Sequence, residues 1–286
     1  MLQITPFSLT DFERLLPLLR RSFPEFWGER LGRNLYSFPY DVELFTLESN
    51  GEILGCIGIH PYCFLLEGER ISCGGISDVA VAPEERGKGY AKMLLSFAEK
   101  KILERYSSSL IPLYTDKEMV YYSSGFCEYR SNREKEIRME DFPIKEEVFT
   151  FAPEVLELSL LSGARPPEKE REKKALSIME IYEKGREFPG KCLRTPKLWQ
   201  ELFADPKNFF LLEGESFFLY REGRLLEGYS SGSGSKVNDY TPCRGGHDAN
   251  KVMIKFSSAG SPDEKELLLR KYADEQKLIF PIADTF

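Results

Sequence analysis

The sequence predicts an α/β protein of two domains, in each of which a mixed, mostly antiparallel sheet is flanked by helices. Three observations carry this. The first 81 residues read as strand, helix and then a run of strands joined by tight reversals; a strand, a glycine loop and a helix follow directly; and the order of helix then hairpins returns beyond residue 175. The chain has 286 residues, 42% of them hydrophobic, enough for two cores at about 150 residues per domain.

The elements follow in order. Leu2 to Thr5 is a short strand, and Thr10 to Glu13 is a capping box ahead of the apolar run Leu15, Leu16, Leu18 and Leu19. Phe23 to Tyr40 mixes aromatic residues with Pro24, Gly28, Gly32 and Pro39; it is too broken for one long helix, and its aromatics are expected in the core. Val42 to Glu48 and Ile53 to Ile59 flank Ser49-Asn50-Gly51, a strong hairpin signal. A second reversal at Glu67-Gly68-Glu69 joins Tyr62–Leu66 to Ile71–Cys73, and Ile76 to Val81 is a buried strand. After the glycine loop, Ala91, Leu94, Leu95, Ala98 and Ile102 have helical spacing. Leu110 to Tyr114 is a further strand, Met119 to Phe126 completes this part, and an extended stretch is expected near Glu136 to Met139.

Residues 1–150 are therefore read as the first domain and 151–174 as a linker, marked by Ser162 to Pro167 and the charged run Glu168 to Lys174. Residues 175–286 form the second domain, with Met179 and Tyr182 on an apolar helix face, a helix around Trp199, and strands at Phe209–Leu212, Phe217–Tyr220 and Leu225–Tyr229. Its order repeats that of residues 10–81, which suggests a degenerate internal duplication. The Ser/Gly stretch from Ser230 to Ser235 is a flexible loop.

Composition removes several functional classes. Thirty-nine basic against 46 acidic residues give a net charge of −7, the wrong sign for a nucleic-acid or anionic-membrane partner. No run approaches a membrane span, and Met1 to Phe12 lacks the basic start and apolar run of a signal peptide, so a cytoplasmic location is expected. Six cysteines without a C-x-x-C pair are expected as reduced thiols, and two histidines, His60 and His247, assemble no zinc spacing; no metal is expected.

Chemistry is concentrated in Arg86-Gly87-Lys88-Gly89-Tyr90-Ala91. A helix start presents unpaired N–H groups and about half a positive charge, and glycines let them approach an anion closely. Arg86 and Lys88 add donors, and the small Ala91 leaves room: the loop suits a phosphate. The stretch from Val79 to Ala91 resembles the acetyl-coenzyme A signature of the GNAT acetyltransferase superfamily, with Arg86, Gly89 and Ala91 at its three defining positions. The resemblance implies the GNAT fold for the first domain, acetyl-coenzyme A as co-substrate, backbone contacts from Val79, Ala80 and Val81 to the pantetheine arm and thioester carbonyl, and pyrophosphate contacts from Arg86 to Ala91.

Downstream, Val120 to Phe126 resembles the family's Phe-Tyr-x-x-x-Gly-Phe segment, which places Tyr121 on the tyrosine that protonates the departing thiolate, with the adjacent Tyr122 as the competing register. The run Leu65 to Val79 is similar to the tandem, enhanced-intracellular-survival subgroup, whose second GNAT-like domain lacks a working cofactor loop. Here Arg244-Gly245-Gly246-His247-Asp248-Ala249 puts His247 at the essential glycine position, so the second domain is expected to be non-catalytic. The sequence ends at Phe286 without the sterol-carrier-like domain usual in that subgroup.

The implied reaction needs an amine nucleophile, a donor for the oxyanion and a proton for sulfur. Asp78 and His60 compete as the base, with a water relay as the third route. Glu25, Glu29, Asp41 and Glu43 either form an acidic mouth for cationic amines or are ordinary solvated residues. An acetyltransferase acting on an amine of a small molecule or a protein is the expected activity; a coenzyme A-binding regulatory module without transfer activity is the alternative.

Overall fold

The computed structural model describes residues 1–32, 41–106, 108–129, 168–184, 191–205, 207–213, 216–221, 224–230, 251–257, 262–276 and 278. The stretch Glu136 to Met139, the double proline, the loop around His247 and most of the Ser/Gly spacer lie outside these residues.

β1 (Leu2–Pro6) leads through a single 3-10 turn into α1 (Phe12–Ser22) and α2 (Pro24–Gly32). The helix entry differs from the expected capping box. Ser8, rather than Thr10, supplies the capping hydroxyl, accepting from the Thr10 amide at 3.3 Å, because the added 3-10 turn moves the start back. α2 places Trp27 at 0% exposure, the core role expected for this aromatic stretch.

β2 (Glu43–Ser49), β3 (Glu52–Leu66) and β4 (Glu69–Val81) form the expected antiparallel meander, except that β3 and β4 each run unbroken through what the sequence divides into two short strands. Asn50, Gly51, Glu67 and Gly68 all have positive φ at the two reversals, as tight hairpin turns require. α3 (Tyr90–Arg105), β5 (Leu110–Thr115), α4 (Glu118–Tyr122) and β6 (Cys127–Tyr129) follow.

Beyond them lie α5 (Glu168–Lys184), β7 (Lys191–Cys192), α6 (Pro196–Ala204), β8 (Asn208–Glu213), β9 (Ser216–Arg221), β10 (Arg224–Ser230), β11 (Lys251–Phe256) and α7 (Glu264–Asp274). The large sheet has the order β1-β2-β3-β4-β5-β11-β6, with β7 paired to β3. Every pairing is antiparallel except β4 with β5. This mixed, helix-flanked sheet is the architecture expected of the first domain.

Strand alternation divides the core between the two faces. Ile57, Ile59, Ile111, Leu113 and Met253 meet Leu94, Leu95, Ala98 and Ile102 of α3. On the other face, α1 and α2 pack against Leu44, Cys56 and Ala80, while Leu269 and Tyr272 of α7 pack against Phe64, Tyr129, Val252 and Ile254. The partition at residues 150 and 175 is therefore crossed: β11 and α7, from the chain's last segment, belong to the sheet built by its first 129 residues. β8, β9 and β10 form a separate three-stranded antiparallel sheet, on which Ile178, Tyr182, Trp199 and Leu202 of α5 and α6 pack.

Candidate active site

The site forms where the one parallel pair among the described residues comes apart. The β4–β5 ladder has a single register pair, Ile76 with Leu113, while β3 stays paired with β4 as far as Val81. Past Ile76 the strands diverge around a cleft of about 640 Å³, a size suited to a small-molecule ligand. Its lining comes from β4, the glycine loop, the first turn of α3, the end of β5 and α4, with Ser22 and Phe23 at the edge.

β4 carries a bulge at this point. Cys56 pairs with Ala80 and Gly58 with Ser77, so β4 holds one more residue than its partner, and Asp78 takes φ +51. Such a backbone is rare for a residue other than glycine and persists only where its surroundings hold it. The Cys56 thiol does so by donating to the Asp78 carbonyl at 3.2 Å. Gly58 leaves room beneath: a Cβ there would stand 2.5 Å from Ser77 Oγ and 3.3 Å from Asp78 Oδ2. Burial and the Asp78 charge push the Cys56 thiol far above its usual range, so it is a structural donor rather than a nucleophile.

At the other end, Gly87 and Gly89 have φ +79 and +82, and α3 begins at Tyr90. Its N-cap is Gly89, no side chain caps it, and its first turn holds no acidic residue, so the positive end of the helix faces the cleft. Val79, Ala80, Val81, Arg86, Gly87, Gly89, Tyr90 and Ala91 all line the cleft. Lys88 does not: its ammonium lies 2.9 Å from Glu85, which raises its pKa. The Arg86 guanidinium is folded back on the Val81 carbonyl at 3.3 Å.

Tyr121 lies at the wall opposite β4, buried and edge-to-face with Phe126 at 5.9 Å. Burial pushes its phenol up to about 12; the charges of Asp116 and Asp78 push the same way, against a hydrogen bond with Thr115. Tyr122 is 42% exposed and is not part of the lining. The two tyrosines that sequence leaves as alternatives thus sit in different environments.

His60 does not line the cleft; its ring packs tilted against Tyr62 at 4.3 Å, and desolvation lowers its pKa to about 4. Nor do the described members of the acidic mouth assemble there. Glu43 pairs with Arg105 of α3, and neither it nor Glu25 or Asp41 lines the cleft.

Sequence reasoning missed three residues here. The hydroxyls of Ser22, Ser77 and Ser124 are buried without a hydrogen-bond partner among the described residues, and all three residues line this cleft. Buried polar groups are rarely left unsatisfied, so their clustering fits a cavity that takes a polar ligand. Single serines in three separate elements carry no sequence signal. Among the described residues, no helix is long and apolar enough to cross a membrane, and no group of three or more metal-ligating side chains converges.

Residues 12–120 match the family model described as Acetyltransferase (GNAT) family. No curated protein matches the chain. Among solved structures, it is similar to a GCN5-related N-acetyltransferase from Kribbella flavida, at 15% identity and a TM-score of 0.57, covering 90% of this chain and 71% of that one. A GCN5-related N-acetyltransferase from Anabaena variabilis matches at 16% identity and a TM-score of 0.54, covering 90% and 73%. Eis1 from Mycobacterium abscessus matches at 17% identity and a TM-score of 0.50, covering 77% of this chain and 53% of that one. The fold is the GNAT fold.

Proposed function

We propose that this chain is an N-acetyltransferase that moves acetyl from acetyl-coenzyme A to a primary amine of a small molecule or protein by direct attack. One observation carries the reading: a cleft opened by the parting of β4 and β5 has a glycine loop and an uncapped helix start at one end and a buried tyrosine on its wall. The three orphaned hydroxyls and the positive-φ glycines fit the polar, phosphate-bearing co-substrate. Bound there, acetyl-coenzyme A supplies an activated thioester.

The chain's own residues supply the rest. Backbone N–H groups at Gly87, Gly89 and the first turn of α3 hold phosphate oxygens, and Arg86 turns from Val81 to add its charge. Val79 to Val81, unpaired with β5, offer their backbone to the pantetheine arm. Asp78, on the bulge, takes the proton from the attacking amine, since it lines the cleft and His60 does not.

Tyr121 donates toward the sulfur. A phenol at about 12 is a reluctant acid beside a thiol near 8.5, but it stays protonated across the physiological range. Burial is the largest influence that raises Tyr121, and the negative charge of Asp78 is the smallest.

The unit containing α5, α6 and β8–β10 is read as the degenerate second GNAT-like domain, with one acetyl-coenzyme A per chain. The likeness to Eis1 supports a tandem arrangement. Reduced thiols and a cytoplasmic setting remain part of this reading.

The test is thiol release from acetyl-coenzyme A over a panel of amines. Amine-dependent release is expected, and Tyr121→Phe should lower kcat by about 10² to 10⁴ with little change in acetyl-coenzyme A affinity. Tyr122→Phe should leave it unchanged. Tight binding with no release for any amine would establish the non-catalytic alternative.

A further inference from the structure

Tyr121 stands on a part of the sheet that the first 129 residues do not complete. β5 and β6 are not neighbours: β11 lies between them, paired from Lys251 to Phe256 with β5 and from Val252 to Ile254 with β6. α4 packs over this junction. Met253, at 0% exposure, shares one buried cluster with Tyr121, Phe126 and Leu113. The next residue on that face is Lys255, whose stem runs past the turn at the end of α4. Its Cε is 3.5 Å from where a Cβ on Gly125 would stand, and its ammonium lies 5.9 Å from the centre of the Phe126 ring. The same ammonium reaches Glu99 of α3 at 2.7 Å, and Ser257 donates to the other oxygen of Glu99 at 2.6 Å. α3 is the helix that starts at the glycine loop.

Two side chains of one strand therefore connect the cleft's walls: Met253 beneath the tyrosine helix and Lys255 between that helix and the loop helix. The rest of this segment is fastened to the same sheet. Buried Glu266 of α7 accepts from the amide and hydroxyl of Ser109, from Ser108 and from Arg270. The Tyr129 hydroxyl accepts from the Leu278 amide at 2.7 Å and donates to its carbonyl at 3.2 Å. These anchors tie the segment that follows β11 to the start of β5 and to β6.

We infer that β11 is a working part of the catalytic wall and that Met253 and Lys255 are positioning residues which hold Tyr121 at the cleft. The inference rests on the reading of Tyr121 as the group that serves the sulfur. A small displacement of a catalytic group is costly, of the order of a hundredfold in rate for about 1 Å, so a strand that fixes a helix by packing has leverage over kcat.

The experiment is a double-mutant cycle in the full-length protein, using the best amine from the panel and thiol release as the assay, with the Tyr121 ring followed by NMR after labelling of tyrosine. Tyr121→Phe identifies the ring signal by its loss. Met253→Ala should shift or broaden that signal, lower kcat by about tenfold to a hundredfold and leave the calorimetric affinity for acetyl-coenzyme A within about twofold. Met253→Leu should restore both signal and rate. In the Tyr121→Phe background, Met253→Ala should cost nothing further, because the group it positions is gone.

Lys255→Met keeps the stem over Gly125 and removes only the link to Glu99; it carries the same cycle at a site that is partly exposed, should Met253→Ala fail to fold. Losses that multiply in the double variants, or an unaltered Tyr121 signal in both single variants, would overturn the inference. Full activity in Tyr121→Phe alone would instead overturn the role assigned to Tyr121, while the ring signal would still report whether β11 seats it.

Discussion

The large sheet and the small one are built from the same materials and end in different states. In the small unit every strand pairing is antiparallel, and the core is a set of interlocked aromatic rings. Trp199 meets Tyr182 edge-on at 5.1 Å and stacks on Phe203 at 5.4 Å, while Arg194 lies 4.9 Å from the rings of both Tyr182 and Trp199. The large sheet has equally buried ladders and one parallel pair, and only there do the strands part. At that point it has a bulge with a positive φ, two positive-φ glycines and three unsatisfied hydroxyls. In the large sheet, the strained backbone and the unsatisfied hydroxyls thus meet at the cleft.

The contrast is broken most sharply at Gly89. A Cβ there would meet nothing within 4 Å, so the folded chain has room, yet φ +82 is unfavourable for valine. Gly89→Val should abolish acetyl-coenzyme A binding in a calorimeter while lowering stability by only about 1–2 kcal/mol. An unchanged affinity would remove the loop from the site.

Trp199→Ala reverses the pattern. Truncating this 3%-exposed ring should cost about 3–5 kcal/mol in denaturant unfolding, and the folded protein should still bind acetyl-coenzyme A with unchanged affinity. Loss of affinity in the folded variant would mean that the two sheets are coupled at the cleft.

The smallest effect concerns His60, half-buried on β3 away from the cleft. Its pKa falls from 6.5 to about 4 on folding, so as pH drops through that window the unfolded chain takes up a proton first and stability is lost. His60→Phe keeps a ring against Tyr62 and removes the proton site. Thermal unfolding of that variant should depend less steeply on pH between 6.5 and 4, with the pH profile of any thiol release unchanged. A shifted rate profile would return His60 to the candidates for the base.

Much of the large sheet was legible because its signals are local. The Asn50-Gly51 and Glu67-Gly68 reversals declare themselves by turn chemistry, and Arg86 to Ala91 declares a glycine turn from strand into helix by where its glycines stand. The helices at Trp199 and Tyr182 and the strands β8, β9 and β10 follow from spacing alone. Ser8 displaced Thr10 as the cap because an added turn cannot be seen in a four-residue pattern.

What the amino-acid sequence determined by itself was thus the set of short-range structures, the glycine loop between strand and helix included, each decided within a few residues. Tertiary structure alone decided that Asp78 sits on a bulge held by Cys56, and that Met253 of β11 packs in one buried cluster with Tyr121. The alternation of Lys251 to Phe256 says only that a strand there has two faces; it does not name the neighbours. Pairing with β5 and β6 is free to join such distant segments because the entropy of closing a loop grows only with the logarithm of its length, while buried partners such as Met253 and Tyr129 are specific to one place in the sheet.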